Sequence, residues 1–156
     1  LLFLWLSCAV EPEKIHYGSE ACQFCKMTIV DQQHAAQYVT KKGKQFKFDA
    51  IECMVNDLSD KDVEKMALLL VADYEEPGKM IPVSQATFLI SKEIKSPMGA
   101  NLSAFSSEQA TNLAKNKYGG EIYDWPKLLK KFDYHNKWNH FRKFEEISAF
   151  GFDQLN

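Results

Sequence analysis

The sequence predicts an α+β fold in which two small ββαβ-like halves form one compact unit, and three observations predict it. Short apolar segments alternate with polar residues and are bounded by turn residues, as strands with one buried face are. At Asp49 to Glu52 and at Ser106 to Gln109, a capping residue is followed three positions later by Glu or Gln, the pattern that opens a helix. The order of elements around Phe48-Asp49 then recurs around Phe105-Ser106, although few residues are shared.

In the first half, residues 28–31 and 34–40 read as strands, and Lys41-Lys42-Gly43 reads as a turn into a strand over 44–48. Phe46 and Phe48 alternate with lysines there, which predicts a meander with one buried face. The helix opened by Asp49 and Glu52 extends to about Leu58, with Ile51, Met54, Val55 and Leu58 along its apolar stripe, and a strand over 67–72 follows. In the second half, 87–91 and 102–105 read as strands. A helix opens at Ser106 and runs to about Lys117, Gly119-Gly120 ends it, and 121–125 reads as a strand. Past Pro126 a helical stretch near 127–132 precedes a tail rich in lysine and aromatics (Trp138, Phe141, Phe144, Phe150, Phe152) without clear periodicity, predicted to pack on the core or on a partner.

The chain has 156 residues, 46% hydrophobic and 13% aromatic, enough to bury a core. Its 19 basic and 21 acidic residues form no basic stripe, which argues against a nucleic-acid partner. Residues 1–14 read as the remnant of an export signal and a linker. The apolar run Leu1 to Leu6 ends in Ser7-Cys8, similar to a bacterial lipobox, so Cys8 is the expected lipidation site. Trp5 departs from the aliphatic residue usual at its position, and a run this short cannot span a bilayer. The expected organisation is 1–14 anchor remnant and linker, 15–125 metal-binding domain, and 126–156 C-terminal tail.

The chemistry concentrates in Cys22-Gln23-Phe24-Cys25-Lys26-Met27, where three sulfur atoms fall within six positions. If 25–27 enters a strand, Cys25 and Met27 share a face. Thiolate and thioether sulfur together favour Cu(I), whereas Zn(II) is satisfied by thiolate and imidazole and gains little from methionine. The expected metal ligands are therefore Cys25 and Met27, with Cys22 auxiliary. Met98 lies between Pro97 and Gly99, on a loop that would present it; core filling and metal ligation both remain open for it.

Other readings compete. Outside the cytoplasm Cys22 and Cys25 could form a structural disulfide, as in a metal-free envelope lipoprotein, or serve a thiol-disulfide oxidoreductase. A redox dithiol should sit between a strand and a helix start, whereas the residues after Met27 read as strand. With Cys8 acylated, three cysteines remain, and an odd number leaves at least one thiol unpaired. Cys53 reads as core or as a reserve thiol, Met54 as core, and Asp49 and Glu52 as helix caps. His34, near the metal segment, is a minor ligand candidate, and His16, His135 and His140 lie in polar or tail regions. No nucleophile elbow, phosphate loop or zincin helix is present, so no catalytic residue is assigned and no enzyme is expected.

Several blocks carry a family resemblance: Cys25-Lys26-Met27 followed by Thr28 to Asp31, Phe48 to Met54, Val71-Ala72-Asp73, Ser96-Pro97-Met98-Gly99 ahead of Ala104-Phe105, and Gly119-Gly120. Over about Ile15 to Trp125 the chain resembles the NosL family of nitrous oxide reductase accessory proteins. The resemblance implies a lipid-anchored periplasmic protein of the bacterial envelope that binds one Cu(I) and delivers it for assembly of the copper-sulfur centre of nitrous oxide reductase. It also implies paired ββαβ halves like those of organomercurial lyase, and a site in which Cys25, Met27 and Met98 are ligands. The better-known members have glycine where Lys26 stands and lack a partner to Cys25 at the position of Cys22.

Overall fold

The computed structural model describes residues 10–132. Lipidation at Cys8 and the tail beyond 132, with His135 and His140, lie outside the described residues. In chain order the elements are β1 (Ala36–Thr40), β2 (Gln45–Phe48), α1 (Ile51–Leu58), a 3-10 turn (Val63–Lys65), β3 (Met66–Ala72), β4 (Met80–Pro82), β5 (Thr87–Ile90), β6 (Leu102–Phe105), α2 (Glu108–Tyr118), β7 (Glu121–Tyr123) and α3 (125–132). The strands form two sheets ordered β2-β1-β3-β4 and β6-β5-β7, antiparallel throughout. In each sheet the first strand of a ββαβ unit lies between the second and the last. That shared arrangement is the duplication read from the sequence. β4, a short edge strand beside β3, is an addition that the sequence did not reveal.

The halves meet in one core. Tyr38, Phe48, Ile51 and Met54 of the first half pack with Phe88, Leu102 and Ala104 of the second, and Leu128 of α3 closes over them. Full burial of each large apolar side chain contributes about 1.5–3 kcal/mol. The alternation along β5 divides its side chains: Phe88 faces the shared core, whereas Leu89 joins Phe105, Ala110 and Ala114 under α2. The Tyr74 N–H donates to the Ala104 carbonyl at 2.8 Å, tying the end of the first sheet to β6. Among the described residues no helix is long and apolar enough to cross a membrane.

Several local expectations are corrected. Residues 28–31 form no strand; Thr28 makes only an isolated bridge to Ala21. The β2 meander has both faces covered, because Lys47 is itself buried beneath the N-terminal segment, where its Nζ donates to the Lys14 carbonyl at 2.9 Å and to Glu20 Oε1 at 2.6 Å. At α2 the cap is Ser107, one residue later than expected, and its hydroxyl accepts from the Ala110 N–H at 3.1 Å. At α1 no side chain caps the helix. Asp49 and Glu52, expected to cap it, make other bonds.

Candidate metal centre

Residues 20–29 fold back on themselves as a narrow loop. The Cys22 N–H donates to the Met27 carbonyl at 2.7 Å, the Lys26 N–H to the Cys22 carbonyl at 3.0 Å, and the Ile29 N–H to the Glu20 carbonyl at 2.8 Å. The Gln23 N–H donates to the Lys47 carbonyl at 2.9 Å, which fastens the loop to β2. Lys26 turns the loop with φ of 67°, the left-handed region that an L-residue enters at a cost and glycine enters freely. Cys25 and Met27 therefore do not alternate along a strand as the sequence suggested; they flank a left-handed residue in a turn.

The turn aims backbone N–H groups at sulfur. Cys22 Sγ accepts from the N–H groups of Phe24, Cys25 and Asp49 and from the Cys53 thiol, and Cys25 Sγ accepts from the Met27 N–H. Such a concave set of donors favours negative charge. The hydrogen bond from Cys53, followed by those from the backbone, pulls the Cys22 thiol down to about 5 against the opposing effect of burial. Burial pushes the Cys25 thiol up, and the bond given to Cys22 together with burial pushes Cys53 up. Negative charge is thereby favoured on Cys22 over its two neighbours.

All three cysteines are free thiols, and their sulfur atoms lie within 4.8 Å of one another. Cys22 and Cys53 are buried and Cys25 is half-buried at the rim. The structure thus brings Cys22 and Cys25 together as the sequence motif suggests and adds Cys53, which sequence reasoning set aside. The available signal was that three cysteines remain once Cys8 is set aside as the expected lipidation site. Around the rim Met27 is 56% exposed and Phe24 45%. Met98, 43% exposed, projects from the Ser96 to Gly99 turn, which is closed by the Gly99 N–H on the Ser96 carbonyl at 3.0 Å.

Two acids on and just before α1 organise this region. Asp49 Oδ1 accepts from the Val30 N–H at 3.0 Å, so one residue holds both the sulfur, through its own N–H, and the far end of the cysteine loop. Buried Glu52 reaches across to the second half, where its Oε1 accepts from Ser96 Oγ and from the Ala100 N–H at 3.2 Å. The methionine turn is consequently bonded to the residue beside Cys53. Sequence reasoning missed both roles because a helix-capping spacing explained the acids adequately. His34 is buried and committed elsewhere, with Nδ1 2.8 Å from Asp31 Oδ2 and Nε2 3.1 Å from Ser103 Oγ, so it braces the two halves. It is not among the residues gathered at the thiol cluster.

The fold that carries this site has a known counterpart. Among solved structures the chain is similar to the copper chaperone NosL from Shewanella denitrificans, at 20% identity and a TM-score of 0.66, over 76% of this chain and 95% of that one. At that identity the likeness establishes the α+β fold. Among curated proteins none is a significant match. The family model described as NosL matches residues 14–131, which takes in the cysteine loop, both sheets and nearly all of α3, and the chain belongs to the NosL family.

Proposed function

We propose that this protein is a Cu(I) chaperone of the bacterial envelope, facing the periplasm, lipid-anchored through Cys8 and delivering copper for assembly of the copper-sulfur centre of nitrous oxide reductase. The observation that supports it best is the free-thiol cluster, with half-buried Cys25 two residues from exposed Met27, in a chain of the NosL family. Soft sulfur donors suit Cu(I).

In this reading the Cys25 thiolate and the thioethers of Met27 and Met98 receive the ion at the surface, with Cys22 as auxiliary ligand. Thioethers bind more weakly than thiolates, so a recipient's histidine or cysteine can enter before a methionine leaves. The copper passes on without any chemical turnover, which is carriage rather than enzymology.

An anaerobic Cu(I) titration against a competing chelator tests the reading, comparing wild type with Cys25→Ser, Met27→Leu and Met98→Leu. Cys25→Ser is expected to abolish tight binding, and each methionine variant to weaken it. Equal affinity of wild type and Cys25→Ser would sink the copper assignment. For the recipient, mixing the copper-loaded protein with copper-free nitrous oxide reductase should move copper to the enzyme; copper that stays behind rejects that partner. Release of a Cys8→Ala variant from the membrane fraction checks the anchor.

A further inference from the structure

The geometry points to Cys22, Cys25 and Cys53 as a three-thiolate seat for Cu(I), with Cys53 a direct ligand contributed by the first turn of α1. This inference rests on the copper reading above and deepens it. It replaces the two thioethers by the Cys53 thiolate and raises Cys22 from auxiliary to full ligand in the resting site, with Cys25 a primary ligand in both.

Distance supports it first. Three sulfurs around one ion in a trigonal plane, with metal–sulfur bonds of about 2.3 Å, stand about 4 Å apart, and the three Sγ atoms already lie within 4.8 Å. A contraction of under an ångström closes the site. A disulfide would instead need one pair to reach about 2.05 Å.

Donor chemistry supports it second. Among the described residues no histidine or carboxylate joins the three sulfurs in the cluster. A structural Zn(II) site asks for four protein ligands, whereas Cu(I) is soft and is content with three thiolates. The positions of the sulfurs are also fixed in advance: Cys22 and Cys25 by the N–H donors of the turn, Cys53 by the helix. Little ordering remains to be done on binding.

Burial supplies the direction of traffic. Two of the three sulfurs are closed off, and only Cys25 reaches the surface beside Met27. An ion seated on all three leaves by way of Cys25 toward the exposed thioethers. Each thiol that ligates gives its proton to solvent, so affinity rises with pH.

The test must separate a ligand from a hydrogen-bond donor, since Cys53 donates to Cys22 before the metal arrives. Cys53→Ser keeps a donor and Cys53→Ala removes it. An outer-shell partner is worth about 10–100-fold in metal affinity, and a serine should restore most of that. A ligand lost should cost more than about 100-fold in both variants, beyond the outer-shell range. The chelator titration is run on wild type and both variants, with copper X-ray absorption on the loaded wild type, a measurement independent of how the variants fold. Expected are a three-sulfur thiolate shell in wild type and a comparable loss in both variants. A wild-type shell of one thiolate with thioethers, or wild-type affinity in Cys53→Ser, overturns the three-thiolate seat while leaving copper binding intact. Wild type no tighter than Cys25→Ser overturns both. Zn(II) held more tightly than Cu(I) by the same three cysteines overturns the choice of ion.

Discussion

The two ββαβ units share a topology but use the start of their helix differently. In the second half Ser107 caps α2 in the ordinary way, its hydroxyl accepting from the Ala110 N–H. In the first half the corresponding place has no side-chain cap; Asp49 turns its carboxylate to Val30 and its N–H to Cys22 sulfur, and Glu52 reaches into the other half. One unit spends its helix start on its own stability, the other on assembling a sulfur site. A duplicated fold lets the two tasks part, because the shared core holds both units together whichever helix is capped.

Substitutions can break or sharpen that contrast. The largest effect is expected from Gly120→Ala in the second half. Gly120 has φ of 103°, and an added Cβ would stand 2.2 Å from the Ile90 carbonyl oxygen, where β7 joins β5. Overpacking and backbone strain together should cost about 2–5 kcal/mol, read as a lowered denaturant midpoint. The thiols are expected to keep their Cu(I) affinity at temperatures where the variant stays folded; loss of affinity there would tie the site to the second half.

Asp49→Ala should come next and act on both properties. Removing the acceptor for the Val30 N–H costs about 1–3 kcal/mol, and loosening the loop around Cys22 should weaken Cu(I) by about 10–100-fold. A stability loss with unchanged affinity would show that Asp49 is an ordinary loop anchor. Ser107→Ala is its counterpart in α2: a loss of about 1 kcal/mol from the missing cap, by thermal melting, with copper affinity unmoved. If it weakened copper as much as Asp49→Ala, the division of labour between the helices would be wrong.

Lys26→Gly should give the smallest change. Relief of the left-handed strain at Lys26 is offset in part by the greater freedom of glycine in the unfolded chain, leaving a gain of roughly 0.5 kcal/mol. Destabilisation of the apo protein would mean that Lys26 contributes more through its side chain, whose Nζ donates to the Gln23 carbonyl, than its backbone costs.

Periodicity made most of the fold legible. The alternation of Phe46 and Phe48 with polar residues, the short strand-like segments at 34–40 and 102–105 and the 3.6-residue stripe of Ile51, Met54, Val55 and Leu58 are local properties, and apart from 28–31 the expected elements formed within a residue or two of where they were placed. The recurrence of the element string was equally readable. β4 was not, since three residues carry no period. Residues 28–31 have strand composition, yet they lie beside a loop that already holds its hydrogen bonds internally and through Asp49.

By itself the sequence determined that sulfur is the chemistry of this protein: Cys22, Cys25 and Met27 crowd six positions, and no enzyme motif competes with them. Only the tertiary structure decided which sulfurs meet. Cys53 lies 28 positions after Cys25 and its neighbours read as core, so nothing local marks it as a partner to Cys22. The bonds from the Gln23 N–H to the Lys47 carbonyl of β2 and from the Val30 N–H to Asp49 hold the cysteine loop against the start of α1, and those long-range contacts accompany three sulfurs within 4.8 Å of one another. A ligand set is a matter of distance through space, which a chain's spacing specifies only after it has folded.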